Sequence, residues 1–316
     1  MSIGNENTSD DLALDVTVVC YNSVGDIESA LEPIKTMGNL GKIIVIDHGQ
    51  DGSGQHAKSL GAEVVISEAN LGFGSGQNRA FQSVSKPYTL ILNPDARVEG
   101  NSVEGAISFL ENHPKVACCQ GVIINSQSGD PERSQGILIK PVHLWGRAFS
   151  LKRLLAFSLV RKMASTIKPL SDHVERIPNK PIEVQSLAFV AVLMRTEAFK
   201  SVGGFDEGYF LYGEDLDLCK RLALKGWDIV ALPGIWATHF GGKSSENSWN
   251  REFEWWHGTL RYAQTYWKKS DIYISIIPTL VTGLLLGMKR PSEFIKVVKT
   301  LLFETLLVCQ SKELQK

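Results

Sequence analysis

The chain has no CxxC pair. Its five cysteines, Cys20, Cys118, Cys119, Cys219 and Cys309, are odd in number and lie in apolar surroundings. That excludes a disulfide framework or a zinc ribbon as the organising device. The stretch from Met1 to Asp11 is polar and acidic, without the apolar core of a secretory signal, so a cytoplasmic, reducing location is expected. No unbroken apolar run reaches the roughly 20 residues that a bilayer span requires. Ile272 to Gly287 comes nearest and is interrupted by Pro278. With Lys268, Lys269, Lys289 and Arg290 at its ends, it reads either as a membrane-surface helix or as a buried C-terminal helix. Net charge is nearly absent too: 33 basic against 34 acidic residues leave −1, which excludes a general nucleic-acid binder. Internal repeats and low-complexity tracts are missing. One local absence stands out, because Arg133 to Ser171 holds no Asp or Glu but eight Lys or Arg. Those basic residues alternate with Leu144, Trp145, Phe149, Leu154, Leu155 and Phe157, which suits either an anionic membrane surface or an ordinary solvated basic helix.

What is present is a globular composition, 43% hydrophobic and 21% charged, over a length that holds one large domain or two. Strand and helix signals alternate through the first part. β-Branched runs at Leu14–Cys20, Ile43–Ile46, Ala62–Ile66 and Tyr88–Leu92 are separated by helical periodicity at 24–37, up to Leu60, and at 73–84. This spacing predicts an α/β fold with a mainly parallel sheet flanked by helices. Further on, 101–113 reads as a helix and 116–125 as a strand or hairpin. Residues 151–163 read as a helix, 182–194 as a strand, 213–225 as a helix and 227–232 as a strand stopping at Pro233. Two or three helices follow from 247 onward.

In such sheets ligands bind beyond the carboxyl ends of the strands. Tyr21 and Asn22, Asp47, Asn70, and Asn93 with Asp95 all fall at those ends. The run Asn70-Leu71-Gly72-Phe73-Gly74-Ser75-Gly76-Gln77 is not a dinucleotide fingerprint, since Gln77 stands where glycine is needed and the run follows the third strand. Its glycines read either as letting a helix N-terminus approach an anion, with Arg79 assisting, or as a merely structural turn. A second cluster packs five carboxylates (Asp206, Glu207, Glu214, Asp215, Asp217) among Phe205, Tyr209, Phe210, Leu211 and Tyr212. Aromatic surroundings raise a carboxylate pKa toward the range of a general base. The helix dipole alone explains one of these acids, either Glu214 or Asp217. His239 reads either as a satisfied core histidine or as a metal ligand, and Asp95 either as a loop cap or as a metal ligand.

These pieces resemble the family 2 glycosyltransferases of GT-A fold, in the bacterial rhamnosyltransferase-like branch. The matching segments are Val18-Val19-Cys20-Tyr21-Asn22-Ser23, Val45-Ile46-Asp47 with Asp51-Gly52-Ser53, and Asn70-Leu71-Gly72-Phe73 with Asn78. Beyond them come Leu92-Asn93-Pro94-Asp95, Gly203-Gly204-Phe205-Asp206-Glu207, Tyr212-Gly213-Glu214-Asp215-Leu216-Asp217-Leu218-Cys219, and His239 with Ser244. Together they cover about residues 14–245.

The resemblance implies a GT-A domain over 1–245, with a nucleotide-binding part at about 12–125 and an acceptor part at about 126–245. A helical extension over 246–316 would follow. It implies Mg²⁺ or Mn²⁺ held by Asp95 and His239, with Asn93 beside the donor. Tyr21, Asn22, Asp47 and Asn70 would contact the nucleotide. Arg79, Glu214 and Arg221 would line the donor or its diphosphate, and Asp215 would be the base. The implied donor is a dTDP- or UDP-sugar, foremost dTDP-L-rhamnose. The implied acceptor is a glycan or a polyprenyl-diphosphate-linked sugar at the inner face of the membrane, with peripheral membrane contact and no nucleic acid. A catalytically silent nucleotide-sugar-binding protein of the same fold is the alternative. Three departures from the family pattern bear on this. Asp47-His48-Gly49-Gln50 stands for a longer Asp-Asn-x-Ser segment, Ala188-Phe189 for a small Ser-Gly pair, and Cys20 for Ser or Thr.

Overall fold

The computed structural model describes residues 14–289 except 39, 133, 149–176 and 242–247. The expectations for the N-terminus, for a helix at 151–163 and for Ser244 lie outside these residues. Two compact units are formed, one from Met1–Leu138 with Glu175–Glu246, the other from Ile139–Val174 with Asn247–Lys316.

The first unit is built on one mixed sheet. Its strands in chain order are β1 (Leu14–Cys20), β2 (Leu40–Asp47), β3 (Glu63–Ile66), β4 (Tyr88–Leu92), β5 (Ala96–Val98) and β6 (Val116–Asn125). After these come β7 (Gln135–Gly136), β8 (Ile182–Glu183), β9 (Ser186–Leu187), β10 (Ala191–Arg195) and β11 (Asp228–His239). The spatial order is β3-β2-β1-β4-β10-β6-β11-β5, with β8 attached to β11 and β7-β9 forming a separate ribbon. Strands β1, β2, β3 and β4 run parallel, as do β6 and β11, while β10 is antiparallel to β4 and β6. Reversing the chain once at β10 leaves β6 and β11 pointing the same way as β1 and β4. The carboxyl ends of β1, β2, β4, β6 and β11 therefore share one edge.

Helices α1 (Ile27–Lys35), α2 (Ser53–Ser59), α3 (Phe73–Phe81), α4 (Gly100–Asn112), α6 (Thr196–Ser201) and α7 (Glu214–Leu224) complete the unit. The central strands are apolar on both faces: all five residues of β4 are buried, as are the first eight of β6. That is the expected signature of a sheet covered on both sides. One core holds Val16, Val18, Leu31, Leu90 and Trp236; the other holds Ile44, Ile46, Ile91, Phe199 and Phe205. Asp15, though fully buried, is satisfied: it accepts from the backbone N–H of Lys42, Ser85 and Lys86. It thereby fixes where β1, β2 and β4 begin.

Two sequence expectations need correction. The strand expected to stop at Pro233 continues to His239, because β11 shifts register against β6 between Ala231 and Ala237. A bulge of that kind accommodates a proline inside a strand. The single strand expected over 182–194 is three short pieces, since Ser186–Leu187 turns aside to pair with Gln135–Gly136.

The second unit contains α5 (Pro141–Ala148), α8 (Ser248–Tyr266) and α9 (Lys269–Lys289). Pro278 lies inside α9. Lacking an N–H, it leaves the carbonyl of Ile274 without its helical donor, and Trp145 Nε1 donates to that oxygen at 3.0 Å. Trp267 Nε1 donates likewise to Ile139 O at 3.2 Å. Among the described residues, no helix is long and apolar enough to cross a membrane.

Candidate active site

Register assembles the first part of the site. In β11, His239 stands opposite Ala96 of β5 on one side and Asn125 of β6 on the other. Asp95 directly precedes β5, and its carbonyl accepts the N–H of Phe240 at 2.8 Å. His239 Nε2 consequently lies 3.3 Å from Asp95 Oδ1, and both side chains retain some exposure, 17% and 14%. A cleft of about 230 Å³ opens beside Asp95, lined in part by Gly25, Asp26, Ser29 and Phe240. The other imidazole nitrogen, Nδ1, is 2.8 Å from Glu132 Oε2. Burial opposes charge on His239, but the hydrogen bonds it donates to Asp95 and Glu132 outweigh it and lift the pKa to about 9. Burial also opposes ionisation of Glu132, yet its bonds to His239 and Asn125 hold its pKa below the usual value.

Asp95 and His239 fit a hard divalent cation. Adjacent ligands on an octahedral ion at roughly 2.1 Å stand about 3 Å apart, close to the separation observed here. Among the described residues no cluster of three or more His, Cys, Asp or Glu could hold an ion. Glu132 faces the far side of the imidazole, leaving one carboxylate and one imidazole. That suits a Mg²⁺- or Mn²⁺-type ion completed by phosphate oxygens and water.

The second part lies at the other strand ends. Asp47 is buried, and its two oxygens accept the N–H groups of Gly49 and Gly54 at 2.9 and 2.7 Å. Its carboxylate thus shapes the turn into α2. Asn22, at φ 54°, packs on that turn, where a Cβ on Gly49 would lie 2.7 Å from its backbone nitrogen. Asp51 and Ser53 accept from Val24 and Ser23, fixing the segment that carries Tyr21, itself 41% exposed. Asn70 accepts the Gly72 N–H in a local turn, and Arg79 is exposed on α3. His48 is buried, with Nδ1 3.0 Å from Ala69 O and Nε2 packed where any side chain at Gly76 would collide. Asn93 continues β4, its N–H donating to Val190 O at 2.8 Å.

The third part is the acidic cluster. Asn78 of α3 accepts the Phe205 N–H at 2.8 Å and donates to Phe205 O and Glu207 Oε1, each at 2.9 Å. The carbonyl of Phe210 presses on Gly72, where a Cβ would collide with it. Held this way, the 203–213 loop delivers Glu214 and Asp215 to the N-terminus of α7, after Gly213 at φ 95°. Burial, together with the charge of Asp215, raises Glu214 to about 8; burial raises Asp215 to about 6. Among the described residues, Glu214 Oε2 has no hydrogen-bond partner. Asp217 is bound instead to Arg221, whose guanidinium also donates to Val202 O and Gly204 O. Arg221 is therefore tied to the base of the loop.

So the structure brings together Asp95 with His239, Asn22 with Asp47, and Glu214 with Asp215. Sequence reading missed Glu132, which becomes visible only through the β6–β11 register. All four described cysteines are free and buried, and burial raises their thiol pKa values.

The site thus joins a polar strand edge, the Asp95–His239 carboxylate–imidazole pair, and two carboxylates of raised pKa at the start of α7. Residues 15–203, more than half the chain, match the family model for glycosyl transferase family 2, and the chain belongs to that family. Residues 176–241 match a model described as the N-terminal domain of galactosyltransferase. Rhamnosyltransferase WbbL of Escherichia coli (strain K12) is 39% identical over 72 residues, 22% of this chain and 27% of that protein. The N-acetylglucosaminyl-diphospho-decaprenol L-rhamnosyltransferase of Mycobacterium tuberculosis is 24% identical over 225 residues, 64% of this chain and 67% of that one. Among solved structures, GalNAc-T7 with UDP, GalNAc and Mn²⁺ superposes with a TM-score of 0.60 at 13% identity, covering 94% of this chain and 55% of that one. The expected GT-A fold and the family resemblance to rhamnosyltransferases are thus borne out.

Proposed function

We propose that the protein is an inverting, divalent-metal-dependent glycosyltransferase. In this reading it transfers L-rhamnose from dTDP-L-rhamnose to a lipid-linked or growing cell-surface polysaccharide. The observation that carries the reading is Asp95 and His239 meeting beside a cleft at the shared strand edge. The mycobacterial relative, a rhamnosyltransferase acting on a polyprenyl-diphosphate sugar by its name, supports the donor and acceptor classes. GalNAc-T7, solved with Mn²⁺, supports the metal.

Asp95 and His239 would hold Mg²⁺ or Mn²⁺, which neutralises charge on the departing diphosphate. Tyr21, Asn22, Asp47, Asn70, Asn93 and Arg79 line the donor side, residues 12–125. The acceptor side is assigned to 126–245, followed by an extension over 246–316 whose described part is α8 and α9. Asp215, with its pKa near 6, accepts the proton of the attacking acceptor hydroxyl. Glu214, held neutral beside it, limits the negative charge at that point. A single displacement opposite the diphosphate inverts the anomeric centre. On α9, Tyr273, Ile274, Ile277 and Leu284 are exposed at helical spacing, which supports contact with the inner face of a membrane.

Thermal-shift screening against dTDP-, UDP- and GDP-sugars with Mn²⁺ or Mg²⁺ tests the donor. A shift for dTDP-L-rhamnose that requires metal, followed by its transfer to a polyprenyl-diphosphate-linked sugar, is the expected result. Stabilisation by a UDP-sugar alone would overturn the donor assignment. Stabilisation by no nucleotide sugar would overturn the reading itself.

A further inference from the structure

We infer that Glu132, itself held by Asn125, is the positioning residue that aims the His239 imidazole at the metal. The inference rests on the reading of Asp95 and His239 as the metal pair.

Three linked contacts carry it. Glu132 Oε2 meets His239 Nδ1 at 2.8 Å. Asn125 Nδ2 donates to Glu132 Oε1 at 2.8 Å, so both carboxylate oxygens are held. Asn125 Oδ1 accepts the N–H groups of Gln127 and Ser128 at 3.0 Å, closing the turn that carries the chain back to Glu132. Backbone bonds complete the frame: Asn125 N–H donates to Asp130 O, Glu132 N–H to Ile123 O, and Ser126 N–H to His239 O. A six-residue excursion from the end of β6 thus returns a carboxylate to the back of a histidine on the neighbouring strand.

The consequence follows from imidazole chemistry. Nδ1 carries its hydrogen toward Glu132, so in the neutral ring the Nε2 lone pair points at Asp95, where an ion would lie. A carboxylate behind a ligating histidine fixes the tautomer and ring orientation and increases its basicity. Unlike an isolated surface pair, Glu132 is ordered by two independent partners before any ion arrives. A purely structural alternative makes a different prediction: the contact would stabilise the 126–131 turn and leave metal affinity unchanged.

The experiment measures Mn²⁺ binding by electron paramagnetic resonance of free Mn²⁺, on the full chain with and without dTDP. His239→Ala is the control for the underlying reading. If its Mn²⁺ affinity equals that of the wild type, His239 is not a ligand and the metal reading fails first. With His239→Ala weakened, Glu132→Ala is expected to lower Mn²⁺ affinity by roughly 10- to 100-fold. Glu132→Gln keeps one oxygen to accept from Nδ1 but carries no charge and turns its NH₂ toward Asn125 Nδ2, so its loss is expected to be smaller than that of Glu132→Ala, at least a few-fold. Thermal unfolding of each variant without metal supplies the folding check. A Glu132→Ala protein that unfolds at a lower temperature yet binds Mn²⁺ like the wild type would overturn the inference. So would Glu132→Gln behaving no better than Glu132→Ala. If Glu132→Ala does not fold, Glu132→Gln against wild type decides: unchanged affinity overturns the inference, and a loss of at least a few-fold supports it.

Discussion

Asn78 grips Phe205 through both halves of its amide, taking the N–H and giving to the carbonyl across 127 residues of sequence. This one side chain ties the glycine-rich helix α3 to the loop that presents the acidic cluster. Asn78→Ala leaves two backbone groups of Phe205 without partners, a loss expected to cost about 1–3 kcal/mol. Urea unfolding measures it. Transfer activity should fall further than stability alone accounts for, because Glu214 and Asp215 ride on the released loop.

Asp215 is assigned as the base, so Asp215→Asn is expected to lower turnover by roughly 10²- to 10⁴-fold while nucleotide-sugar binding by calorimetry is retained. An active Asp215→Asn enzyme would refute the assignment. The base must be ionised, and burial raises its pKa to about 6. The wild-type rate should therefore rise with pH and level off above about 6.

Glu214 gives a stability prediction of opposite pH sense. Its folded pKa is raised from 4.5 to about 8 by burial and by Asp215. Between those values the folded chain holds a proton that the unfolded chain has lost, so this group's contribution falls as pH rises. Glu214→Gln keeps the shape and removes the ionisation. It should raise the melting temperature relative to wild type at pH 8 and change it little at pH 4.

Asp95→Ala removes the only carboxylate facing His239 Nε2 among the described residues. Calorimetric titration with a nucleotide sugar should show weaker binding than wild type in Mn²⁺. Without metal, the two proteins should differ little. Equal affinities in Mn²⁺ would remove Asp95 from the metal site.

Much of this was legible in the residues themselves. Leu14–Cys20 and Tyr88–Leu92 are strands with the bounds expected, because β-branched and apolar runs ending in polar turns leave little choice of structure. The strand-end residues Asn22, Asp47 and Asp95 also stood out. What their side chains bind did not. The turn into α2 occupies both oxygens of Asp47, and loop carbonyls with Asp217 occupy Arg221. Such engagement depends on backbone amides and carbonyls that no residue pattern reveals. Pro233 concealed the last half of β11, since proline ordinarily ends a strand. With that segment hidden, the neighbours of His239 could not be read, and Glu132 remained anonymous in a turn-rich stretch.

The bond from Trp145 to the carbonyl that Pro278 leaves open has a consequence for biosynthesis. Its two ends lie 129 residues apart, so the indole emerges from the ribosome well before its acceptor has been translated. Leu144 and Ala148 of the same short helix, both buried in the finished protein, wait equally long for cover. Completion of the second unit is therefore timed by the arrival of the C-terminal helices.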